Sequence, residues 1–104
     1  MIATLKKLFG VGPAVDLGAL IANGATIVDV RTSGEYASGH IKGSLNIPLA
    51  ALGSQMSKLK KDKPVITCCA SGMRSSSAKA MLKSNGFTEV HNGGSWYNLK
   101  KFEK

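Results

Sequence analysis

Pro64-Val65-Ile66-Thr67-Cys68-Cys69-Ala70-Ser71-Gly72-Met73-Arg74-Ser75 is the stretch on which the fold of this 104-residue chain turns. Val65-Ile66-Thr67-Cys68 is a short apolar, β-branched run opened by a proline, the pattern of a buried strand. Residues 69–74 carry neither a strand nor a helix period. From Ser75 onward, Ala78, Met81 and Leu82 recur at i, i+3 and i+4 while Lys79 and Lys83 take the other side, which predicts a helix ended by Gly86. The stretch is therefore a strand, a tight connection and a helix.

The same alternation runs outward in both directions. Asp16 can cap a helix that puts Leu17, Leu20 and Ile21 on one face, with Asn23-Gly24 as its stop. Thr26–Val30 reads as a strand leading into Arg31. Thr32-Ser33-Gly34-Glu35 has capping-box spacing, so a short helix through Tyr36 is expected, ending at Gly39. Ser44–Ile47 is a strand stopped by Pro48. Leu49, Leu52, Met56 and Leu59 predict a helix facing the core, and Thr88–His91 a last strand. Asn92-Gly93-Gly94 is expected to turn the chain, and Ser95 to cap a final short helix with Trp96 and Leu99. Strands alternating with helices imply an α/β fold with a mostly parallel sheet. Ligands in such sheets bind beyond the C-terminal ends of strands, here the loops after Val30 and after Cys68.

In the second of these loops several features converge. Cys69 sits where a strand end presents a side chain to a crevice. Gly72 lets the backbone turn without a Cβ clash. Successive N–H groups of the loop can form an anion nest, and the following helix N-terminus adds positive potential. Arg74 is expected to add a cation with several donors. Such surroundings lower a thiol pKa and hold the reactive thiolate. Cys69 could instead be a small buried hydrophobe, but its position among the glycine, the arginine and the helix start favours reactivity. Cys68 precedes it, so in a strand it points to the opposite face and reads as a core residue. A disulfide between the two is strained, because adjacent Cα atoms lie about 3.8 Å apart.

Composition excludes other classes. Hydrophobic residues make up 43% and charged ones 19%, against long disorder. No apolar run approaches the roughly 18 residues of a membrane span, so no stable membrane insertion is expected. Two adjacent cysteines do not make a disulfide-stapled scaffold, and with His40 and His91 they lack metal-site spacing, so no metal is assigned. Lys and Arg total 14 against 6 acidic residues, a net charge of +8. Nine of the fourteen (Lys6, Lys7, Lys58, Lys60, Lys61, Lys63, Lys100, Lys101 and Lys104) fall in three clusters at predicted surface or terminal sites. They serve solubility, and no zinc finger, helix-turn-helix or basic-aromatic run supports nucleic-acid binding. Residues 1–12 read as a short amphipathic N-terminal arm and 13–104 as a single domain. A cytoplasmic protein with reduced thiols is expected.

At these residues the chain resembles the single-domain rhodaneses, a sulfurtransferase family. Ile27-Val28-Asp29-Val30-Arg31 with Glu35-Tyr36 is similar to the family's first signature. Gly39-His40-Ile41-Lys42-Gly43-Ser44-Leu45-Asn46-Ile47-Pro48 is similar to its second. The third is the loop Cys69 to Arg74, then Ser75 and the Ala/Leu-rich helix, Gly86-Phe87, and Asn92-Gly93-Gly94 before Trp96. Together the three cover residues from about 14 to 99. The resemblance implies a three-layer α/β domain with a five-stranded parallel sheet and helices on both faces. It implies that Cys69 takes sulfane sulfur as a persulfide and passes it to a thiol or cyanide-like acceptor. Ala70, Ser71, Gly72, Met73, Arg74 and Ser75 then form the substrate-binding loop, with backbone N–H groups of Ala70 through Arg74 on the terminal sulfur. Asp29 and Arg31 become supporting residues. No cofactor is implied. The partners are a small sulfur donor and a thiol acceptor, with an acceptor protein as a further candidate, and the chain is expected to be a monomer.

The loop counts six residues from Cys69 through Arg74, the sulfurtransferase length. Related phosphatases and arsenate reductases have one more, which disfavours oxyanion chemistry here. Where many of these sulfurtransferases carry Arg or Lys after the cysteine, this chain has Ala70, which favours a less anionic donor than thiosulfate, such as an organic persulfide. A non-catalytic sulfur-carrier or partner-binding module is the competing reading. His40 is expected to bond backbone in a turn, His91 to be structural, and Trp96 to anchor packing.

Overall fold

Side chains alternate across the faces of a strand, and in this computed structural model, which describes residues 15–103, that alternation divides the core in two. The elements are α1 (Leu17–Ala22), β1 (Thr26–Asp29), α2 (Ser33–Ser38), β2 (Leu45–Asn46), α3 (Leu49–Gln55), β3 (Val65–Cys69), α4 (Met73–Ser84) and β4 (Val90–Ser95), with 3-10 turns at Met56–Lys58 and Trp96–Phe102. The strands lie in the order β2-β1-β3-β4, every pair parallel. Val28, Val30, Val65 and Cys69 face Leu52 of α3 and Ala78 and Leu82 of α4. Ile27, Ile66 and Cys68 face the opposite way, with Leu99 and with Leu17, Leu20 and Ile21 of α1. Helices therefore cover both faces, the expected three-layer arrangement.

The caps follow the sequence. Asp16 Oδ1 accepts from the Ala19 N–H at 2.9 Å. Thr32 and Glu35 close a reciprocal capping box on α2, and Ser95 Oγ accepts from the Tyr97 N–H at 3.3 Å. Among the described residues no helix is long and apolar enough to cross a membrane.

Three expectations are corrected. The described residues form four strands, not five. Each β-rich run after α1 is already paired, and the connections between them are helices or turns, leaving no segment there to make a fifth. The helix after the cysteine loop begins at Met73 rather than Ser75. Gly72 absorbs the turn in the left-handed region at φ +100°, so Arg74 and Ser75 join the first helical turn. Asn92-Gly93-Gly94 does not end the last strand but continues it. Thr67 pairs with Asn92 and Cys69 with Ser95, so two steps on β3 match three on β4, a bulge. The 1–12 arm lies outside the described residues.

The bulge brings β4 close to β3. A Cβ on Gly93 would sit 2.9 Å from Ile66 Cγ2, 3.0 Å from the Thr67 carbonyl oxygen and 3.1 Å from Leu99 Cδ1. Backbone cannot yield there, so Gly93→Ala is expected to destabilise the fold by about 1–3 kcal/mol. A lower urea midpoint at an unchanged m-value is the measurement that checks it.

Candidate active site

Cys69 ends β3, and its residue is fully buried. Its sulfur lies inside the first turn of α4. The Gly72 N–H donates to Sγ at 3.0 Å and the Ser75 N–H at 3.4 Å. The Ser75 hydroxyl lies 3.5 Å from the sulfur. Burial pushes the thiol up, but the Ser75 hydroxyl and the N–H groups of Ser75, Gly72 and Ser71 outweigh it and hold Cys69 below its ordinary 9.0. The donors that meet Sγ itself are thus the N–H groups of Gly72 and Ser75, with the Ser71 N–H beside them. Ala70 and Ser71 are exposed beside it, and Met73 is 78% exposed.

A second row of contacts fixes that turn. Ser75 Oγ donates to Asn92 Oδ1 at 2.6 Å, the Gly94 N–H donates to the same oxygen at 2.9 Å, and Asn92 Nδ2 donates to the Gly72 carbonyl at 3.1 Å. The thiol can donate to Ser75 while Ser75 donates to Asn92; once the sulfur is ionised, the same hydroxyl can turn toward it. A Cβ on Gly72 would lie 3.3 Å from Gly94 Cα, so the loop and the β4 bulge meet backbone to backbone. Ser75→Ala removes a donor that favours the thiolate. The rising limb of the rate–pH profile, which follows Cys69 ionisation, is expected to move to higher pH, as read from iodoacetamide alkylation rates across pH.

Arg74 is paired with a carboxylate. Its Nη1 and Nη2 donate to Glu35 Oε1 and Oε2 at 2.7 and 3.0 Å, a bidentate pair between the starts of α4 and α2. The Arg74 hydrogen bond, with help from Thr32, holds Glu35 at about 2, so the pair stays charged on both sides at neutral pH. Arg74 therefore answers a carboxylate, and the groups that meet the Cys69 sulfur are the Gly72 and Ser75 N–H groups and the Ser75 hydroxyl. Beside it a groove of about 340 Å³ is lined by Val30, Thr32, Pro48, Leu49, Ala50 and Arg74.

Asp29 and Arg31 form a buried pair on the other face of the sheet. Arg31 Nη2 donates to Asp29 Oδ2 at 2.7 Å and to the Gly39 carbonyl at 2.6 Å, and Nη1 donates to the Glu35 carbonyl at 3.2 Å. The hydrogen bond to Asp29 raises Arg31 above its usual value. The guanidinium lies 4.6 Å from the centre of the Trp96 ring. The pair thus ties the end of β1 to α2 and to the Gly39 that ends it. Cys68 is in register with Asp29, and burial pushes its thiol up to about 12. His40 Nδ1 bonds the Tyr36 carbonyl at 2.8 Å, and His91 Nε2 pairs with Glu89 at 2.8 Å.

Two residues at the site were not singled out for it in sequence. Glu35 was legible as a capping residue and as part of the first signature, without a partner at the site, because its arginine lies 39 positions away. Asn92 was legible as a turn former and as part of the third signature, but the bulge that aims it at Ser75 exists only once β3 and β4 pair.

The chain matches the Rhodanese-like domain over residues 14–100. It is 41% identical over 68 residues to the uncharacterised protein YqhL of Bacillus subtilis, covering 65% of this chain and 54% of YqhL, so it spans about half the length of that relative. It is 38% identical over 73 residues to the thiosulfate sulfurtransferase GlpE of Pseudomonas fluorescens, covering 70% of this chain and 67% of GlpE. Among solved structures it is similar to the human single-domain sulfurtransferase TSTD1, with a TM-score of 0.74, 30% identity, and coverage of 89% of this chain and 99% of that one. On this match, and with a parallel sheet whose β3–α4 loop closes around a cysteine, the chain belongs to the rhodanese-like domain family.

Proposed function

We propose that the protein is a sulfurtransferase in which Cys69 carries the transferred sulfur. The observation that supports this most is the Cys69 sulfur held by the Gly72 and Ser75 N–H groups at the N-terminus of α4. That arrangement favours a thiolate without a general base. The relatives named as sulfurtransferases point the same way.

In the proposed cycle the Cys69 thiolate attacks the outer, sulfane sulfur of thiosulfate or of a persulfide. A sulfur–sulfur bond forms to Cys69 and the bond within the donor breaks. The donor remainder leaves with the electron pair, as sulfite or as a thiolate. The N–H groups of the loop face the negative charge on the bound sulfur. A thiolate or cyanide-like acceptor then attacks the terminal sulfur, and Cys69 leaves as thiolate. The partners are thus a small sulfur donor and a thiol, free or on an acceptor protein, met by a monomer in the cytoplasm, where thiols stay reduced.

Intact-mass spectrometry after incubation with donor tests the proposal. The parent and Cys68→Ala should each gain one sulfur atom, removable by a reducing thiol, and Cys69→Ser should gain none. Loading that survives in Cys69→Ser would overturn it.

A further inference from the structure

Arg74 lies in the first turn of α4 beside the cysteine loop and Arg31 on the other face of the sheet, and a carboxylate occupies each. Asp29 holds Arg31 beneath Trp96, and Glu35 holds Arg74 through both terminal nitrogens. Ala70, directly after the cysteine, brings no charge. A dianionic donor such as thiosulfate meets only uncharged N–H and hydroxyl donors there, or competes with Glu35 for Arg74. A donor whose charge is confined to the transferred sulfur meets the cradle without that competition.

From this we infer that Glu35 is a specificity-determining residue, which masks Arg74 and biases the site toward singly charged organic persulfides over dianionic thiosulfate. The inference rests on the proposed sulfur transfer at Cys69. Glu35 need not touch the donor to act. It does so by removing a cation from the donor's reach, since charge-assisted bonds to an anion are strong and geometry-bound. Its second role, in the capping box of α2, is separable. Glutamine satisfies the same box, accepting from the Thr32 N–H as Glu35 does at 3.0 Å. Glu35→Gln therefore removes the charge and keeps the cap.

The test is the rate of sulfur loading on Cys69, followed by intact mass, with thiosulfate and with a small alkyl hydropersulfide as donors. Glu35→Gln is expected to raise the thiosulfate rate constant by about tenfold and to change the hydropersulfide rate much less. The gained thiosulfate rate should fall more steeply with added salt than the parent's. The double variant Glu35→Gln with Arg74→Gln, which removes both charges, should return thiosulfate loading to the parent level. An unchanged ratio between the two donors in Glu35→Gln, with its thermal midpoint and the parent's loading intact, overturns the inference and leaves the proposed function standing. A gain that persists in the double variant also overturns it. Failure of the parent to load from either donor removes the proposed function, and the inference with it.

Discussion

Replacing Cys69 with serine is expected to reduce sulfur transfer by on the order of 10⁴-fold or more, the scale on which loss of a nucleophile acts. A serine hydroxyl is not ionised at neutral pH and cannot form the persulfide, so the residual rate should be the uncatalysed one. The substitution suits the site sterically. A hydroxyl at the Sγ position can accept from the Gly72 and Ser75 N–H groups that now meet sulfur at 3.0 and 3.4 Å. The fold should therefore persist, with circular dichroism and thermal midpoint close to those of the parent. Steady-state turnover with cyanide as acceptor checks the first half, and the melting curve the second. Transfer near the parent rate would place the reactive sulfur elsewhere.

Arg31→Ala is expected to cause the largest loss of stability, about 3–5 kcal/mol, because it leaves the Asp29 carboxylate buried without its partner. Asp29 is fully buried and Arg31 is 4% exposed, so water cannot readily replace the lost donors. The same guanidinium serves the Gly39 and Glu35 carbonyls and lies over Trp96, so the loss reaches α2 and the final 3-10 turn together. Urea unfolding measures it, as a fall in midpoint. A change below about 1 kcal/mol, typical of exposed pairs, would show that the pair is not the anchor its geometry makes it.

The arrangement of strands and helices was legible because it rests on local signals. The apolar run from Val65, the helical spacing of Ala78, Met81 and Leu82, and the Thr32–Glu35 capping box each act within a few residues. Cys69 and Gly72 were legible for the same reason. The opposite facing of Cys68 follows from the two-residue period of a strand alone. What escaped depended on pairing between distant segments. Nothing near Arg74 announces that Glu35 will occupy it, and nothing near Asn92 announces a bulge. The helix start at Met73 was hidden because residues 73 and 74 have no apolar partner in the helical period. The fifth strand came with the resemblance rather than from a β-rich run in the chain.

The separation of the two thiols by the sheet also governs how this protein meets an oxidant. Many reactive cysteines are rescued by a second, resolving cysteine that condenses with the sulfenic acid. Cys68 is next in sequence, yet it lies among Ile27, Ile66 and Leu99 on the far side of the sheet, with its proton held up to about 12. Reaching Cys69 would require β3 to leave its pairing with both β1 and β4. Toward oxidants the chain thus behaves as a single-thiol protein, and the recovery of an oxidised Cys69 depends on a thiol supplied from outside.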